Sequence, residues 1–110
     1  MTPKEFKRYL TRDLHCLHCG ADGDELVPQH RMNRGAGGKH GKAAMPSNII
    51  VFCSYANSLA ESNAQFADQC RLYGWKLRSW QDPLAEAVYD SVRGEWFMLD
   101  DKYQRARLAD

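Results

Sequence analysis

Residues 26–38 read LVPQHRMNRGAGG, a short apolar run that ends in His30 and passes into arginine and glycine. An imidazole at a strand end, facing a basic and flexible loop, has two readings: a general base directed at a phosphate, or an incidental polar residue opening a surface loop. Two asparagines follow, Asn48 and Asn57, with Glu61 four positions beyond the second. On a helix, Asn57 and Glu61 share one face. Four cysteines add a second chemistry. Cys16 and Cys19 form a Cys-x-x-Cys-Gly knuckle, and Cys53 stands well placed for a third thiolate. A structural zinc site takes four ligands. Cys70 is remote, about 25 Å from Cys53 along one continuous helix, and is most simply an apolar helix residue. His15 or His18 would complete the shell from inside the knuckle. The alternative is that Cys16, Cys19 and Cys53 are reduced, partly buried thiols.

The elements that must position these groups are legible. TPKE opens a helix, with Thr2 as N-cap, Pro3 at the first helical position and Glu5 closing a capping box. Phe6, Tyr9 and Leu10 supply its apolar stripe, and it ends near Asp13. Leu26 to His30 reads as a short strand, residues 31–47 as a long glycine-rich loop, and IIVFC as a second strand. A helix follows from Cys53 to a stop at Tyr73-Gly74. Trp75-Lys76-Leu77 looks like a strand start. AVYD and EWFML, joined by SVRG, form a β-hairpin with alternating exposure, and the charged tail after Asp101 frays. Trp75, Trp80, Tyr89, Trp96 and Phe97 are assigned to the hairpin core rather than to stacking on bases.

At 110 residues, 44% apolar and 11% aromatic, the chain makes one domain with a modest core. No apolar run is long enough to span a bilayer, and MTPKEFKRYL lacks a signal peptide's apolar stretch. The expectation is a soluble, intracellular, cytoplasmic protein. Net charge is only +1, but its distribution is uneven. No acidic residue falls between Glu25 and Glu61, a window that holds Arg31, Arg34, Lys39 and Lys42. From Asp82 to Asp101 the acidic side chains are opposed by Arg93 alone. The first region could approach a polyanion, and the second would be repelled by one.

The order strand, His, loop, Asn, strand, helix, with QH at 29–30, RGAGG at 34–38, PSN at 46–48 and CSYAN at 53–57, resembles the HNH endonucleases. The knuckle resembles the zinc knuckle of many members, and the likeness covers residues 16 to about 62. GWKLRSW and GEWFMLDD are similar to the C-terminal part of small HNH-like proteins of actinobacterial phages.

The resemblance implies an α+β fold over residues 1–110. Its parts are a ββα-metal (HNH) core, an N-terminal helix, a zinc knuckle and a C-terminal hairpin extension over about 75–101. It implies that His30 activates water for phosphodiester hydrolysis and that Asn48 bonds across the hairpin to orient it. Gln29 and Asn57 would hold one Mg²⁺ or Mn²⁺. Gln29 departs from the pattern, where Asp or His is usual, and two neutral amides hold a hard cation poorly. Glu61 offers the missing carboxylate; the alternative is a solvated helix glutamate. The family's fourth zinc ligand falls at position 56, occupied here by Ala56. Arg31, Arg34, Lys39 and Lys42 would track the DNA backbone, with loop glycines admitting phosphate close to main-chain amides; the alternative is a merely soluble loop. Three functions follow: a DNA endonuclease, a degenerate relative that binds DNA or a host or phage protein without cutting, and a purely structural knuckle protein. A monomer would nick one strand, and a homodimer would cut both.

Overall fold

A computed structural model describes residues 1–33 and 41–108. Helix α1 spans Pro3–Asp13. Its start follows the expected chemistry: the Thr2 hydroxyl accepts the Glu5 amide at 3.1 Å, and Pro3 occupies the first turn. Tyr9 on its inner face is buried against Ile49 and Val51.

Strands β1 (Leu26–His30) and β2 (Ile49–Cys53) pair antiparallel, with Leu26 opposite Cys53 at one end and His30 opposite Ile49 at the other. An open strand edge is a liability. Here Asp13 caps part of the outer edge of β2 by accepting the Val51 amide at 3.0 Å, and the Leu17 amide donates to the Val51 carbonyl. Arg12 completes this joint by pairing with Asp13 at 2.7 Å and donating to the carbonyl of Pro46.

The chain enters α2 (Ser54–Ser62) directly from β2, with Cys53 as N-cap: its sulfur accepts the Ala56 amide. The single helix expected up to Tyr73 is instead two. Asn63 leaves helical geometry at φ −123°, and its side chain accepts the Phe66 amide at 2.9 Å, starting α3 (Ala64–Leu72). An asparagine that offers its own amide acceptor competes with helix continuation, and here it wins.

Residues 75–87 carry no strand, contrary to the reading of Trp75-Lys76-Leu77. Trp75 is buried as a core side chain, with its indole N–H on the Tyr89 carbonyl at 2.7 Å. Gly74 lets the chain turn there. Its φ is +73°, and any Cβ would collide with the Ala87 carbonyl oxygen.

The expected hairpin is present as β3 (Val88–Asp90) and β4 (Glu95–Leu99). The tail does not end as a fray: β5 (Arg105–Arg107) pairs with β4, making a three-stranded antiparallel meander. The result is an α+β domain whose two small sheets share one core. Ile50 and Phe52 of β2, Phe66 of α3, Trp75, and Val88, Phe97 and Leu99 of the meander pack together. Among the described residues no helix is long and apolar enough to cross a membrane.

Candidate functional site

The β1–β2 ribbon carries a chemical cluster at each end. At the Leu26–Cys53 end, the sulfurs of Cys16, Cys19 and Cys53 lie within 4.8 Å of one another, Cys19 and Cys53 at 3.7 Å. Four sulfurs around zinc, each about 2.3 Å from the ion, sit about 3.8 Å apart in a tetrahedron. The knuckle is set by local bonds: the Cys16 amide donates to Ala21, and the Gly20 amide donates back to Cys16. Gly20, at φ +79°, supplies the left-handed turn. Burial pushes the Cys16 thiol up to about 12. Burial also opposes ionisation of Cys19, but hydrogen bonds from the Ala21 backbone and the two neighbouring thiols outweigh it and hold that thiol below its ordinary value. This cluster could hold a metal ion.

Neither histidine of the knuckle joins it. His15 bonds Asp90 at 3.0 Å, and His18 packs edge-on against Phe66 and Trp75, where burial lowers its pKa. Cys70 is buried in the main core and is also absent from the cluster. Ala56 occupies the first turn of α2 beside the Cys53 cap.

At the His30–Ile49 end, Gln29, His30, Asn57 and Glu61 line one cleft of about 310 Å³, together with Pro28 and Asn33. Residues up to 33 positions apart meet here because α2 packs on both strands of the ribbon. Gln29 is buried, and its side-chain oxygen accepts the Asn57 amide at 2.6 Å. The nitrogen of Gln29 reaches the His30 carbonyl at 3.3 Å, so this side chain is held on both sides. Glu61, on the exposed face, lies 3.6 Å from the Lys76 ammonium. The donors a hard cation would find are amide oxygens and one carboxylate shared with a lysine. Neutral amides with one shared carboxylate make a weakly charged donor set for a hard cation.

Asn48 is fully buried. It accepts the Met32 amide at 2.8 Å and donates to the carbonyls of Met32 and Ala43, both at 3.0 Å. One side chain thereby ties both ends of the loop that leaves His30.

Arg31 corrects the expected DNA-contacting set. It is 0% exposed, and its guanidinium donates to the carbonyls of Gly74, Ser47, Pro83 and Glu86 within 3.1 Å, with Ala87 at 3.5 Å. Burial lowers its pKa to about 10. A cation spent on backbone carbonyls has no face for phosphate; Arg31 moors the irregular 74–87 segment to the ribbon. Lys42 is exposed, at the start of a 3₁₀ turn. Arg34 and Lys39 lie outside the described residues.

Asn33 of the cleft and Lys76, the partner of Glu61, escaped the sequence reading. Neither carries a motif, and only the folded chain brings the 74–87 segment beside α2. Trp80 and Trp96 also depart from expectation, being 76% and 36% exposed, whereas Trp75 and Phe97 are buried as anticipated. No known protein family, curated protein or solved structure matches the chain.

Proposed function

We propose that this protein is an HNH-type endonuclease that hydrolyses DNA phosphodiester bonds, built on a ββα-metal core. The observation that carries the reading is the cleft. An imidazole, two carboxamides and a carboxylate, drawn from a strand end and a helix face, line one concavity, beside an asparagine that ties the loop down. In this reading His30 takes the proton from an attacking water. Asn48 acts through the backbone, fixing the loop so that the imidazole keeps its direction. Glu61, with the oxygens of Asn57 and Gln29, would hold one Mg²⁺ or Mn²⁺, which supplies charge neutralisation at the phosphate and leaving oxygen. Lys42 remains available to the DNA backbone, while Arg31 does not. The thiol cluster fits a structural zinc ion that fastens the knuckle to the start of α2.

One observation favours a second reading, a relative that binds DNA or a host protein without cutting. Gln29 and Asn57 bond each other, and the one carboxylate has a lysine partner. Supercoiled plasmid incubated with the protein and Mg²⁺ or Mn²⁺ separates the two. Nicking that disappears in His30→Ala supports the endonuclease. Equal background in both proteins, with retardation of the plasmid that weakens steeply with salt, selects the binder.

A further inference from the structure

Beside the cleft lies a second concavity of about 260 Å³, lined by Arg71, Lys76, Arg78 and Trp80 among others, and Asn33 lines both. The Lys76–Glu61 ion pair spans the same border. Arg78 thus borders an indole that faces solvent, continuous with the site proposed to act on DNA, while Arg71 pairs with Asp68 at 2.6 Å and Lys76 with Glu61.

Trp80 is held out by design of the local chain. The Arg78 amide donates to the Gln81 side chain at 2.7 Å, and the Gln81 amide returns to the Arg78 carbonyl at 3.0 Å, closing a tight turn. Leu77, just before it, is buried, and its amide donates to the Arg31 carbonyl at 2.6 Å. The turn is therefore anchored to the same buried arginine that moors this segment. The Arg78 guanidinium sits over the Trp80 ring, 5.7 Å from its centre. A rigid, solvent-facing indole flanked by a cation is the arrangement that stacks an unpaired base while the cation holds its phosphate. Bases in a duplex are already stacked on one another and present no free face.

We infer that this groove binds a single-stranded stretch of DNA, with Trp80 stacking one base and Arg78 holding the backbone that leads to the cleft. The inference names a substrate class for the proposed nuclease and rests on that reading only for what happens after binding.

Fluorescence anisotropy with labelled oligo(dT) of about fifteen nucleotides, and with a duplex of equal length, tests it on the full chain at low salt. The expected result is tighter binding to the single strand, lost roughly tenfold in Trp80→Ala and largely retained in Trp80→Phe. Because Trp80 is exposed, both variants fold. Arg78→Gln lowers the salt slope by about one for the strand. Equal affinity of wild type and Trp80→Ala for the strand, or a duplex bound as tightly as the strand, overturns the inference. The two proposals fail separately. Strand binding that depends on Trp80 without any nicking keeps the groove and removes the nuclease. His30-dependent nicking with an indifferent Trp80 does the reverse.

Discussion

The two ends of the β1–β2 ribbon solve opposite problems with the same scaffold. Four residue steps separate Leu26 from His30, about 13 Å along the strand. At one end three sulfurs converge, two from the knuckle and one from the N-cap of α2, with thiol–thiol hydrogen bonds as the interaction among them. At the other end the polar groups are already engaged: Gln29 with Asn57, Glu61 with Lys76. A soft metal entering the first end displaces protons. A hard cation entering the second must displace neighbours as well. In the proposed function the first end would take an ion that stays and holds structure, and the second an ion that binds weakly and exchanges.

That contrast can be broken or sharpened in several ways. The largest effect is expected at the thiol end. Zinc-loaded protein should carry about one equivalent, and chelation or Cys16→Ser should lower stability by several kcal/mol, on the order of 3 or more, as read by urea unfolding. Unchanged stability after complete metal removal would strip the cluster of a structural role.

Arg31→Ala comes next. It leaves the carbonyls of Gly74, Ser47, Pro83 and Glu86 without their shared donor, and a loss of roughly 3 kcal/mol or more is expected. A near-neutral result would mean that water replaces the guanidinium, and that the cleft end does not depend on this mooring.

At the cleft, Gln29→Glu adds a charge where the wild type has an amide. We expect roughly tenfold tighter Mn²⁺ binding by titration calorimetry, since affinity rises with ligand charge, and unaltered zinc content. If both metals respond, the two ends are coupled through the ribbon.

The smallest effect concerns pH. Burial pushes the Asp90 carboxyl up, but its bonds to His15, the Arg93 amide and Arg105 outweigh burial and hold it below the usual carboxylate value. Its contribution to stability is therefore present above the ordinary aspartate pKa and lost as pH falls through the lowered, folded value. Asp90→Asn should flatten the acid limb of a stability–pH curve. An unchanged acid limb would show that other carboxylates govern it.

The local rules read well wherever one segment carried its own signal. Thr2, Pro3 and Glu5 mark the start of α1, and the alternation in VYD and EWFML marks the hairpin. The convergence of Cys16, Cys19 and Cys53 was also legible, because knuckle spacing and a cysteine at a strand end are both written in one dimension. The break at Asn63 was readable too, since asparagine is a strong N-cap, but helical spacing on either side concealed it. β5 was not readable. RAR is short and charged, and it becomes a strand because β4 offers it an edge.

What the chain determines alone is the set of elements and the chemistry each one brings: a capped helix, two short strands around a basic loop, a thiol knuckle, and an imidazole followed by amides. Tertiary structure decided which charges face water. Arg31 and Lys42 are both cations of one loop, yet the first is surrounded by carbonyls from residues 47 to 87 and the second is exposed. Trp75 and Trp80 are five residues apart, yet the first is buried and the second exposed. Burial depends on partners distant in sequence, and a periodic pattern carries no information about them.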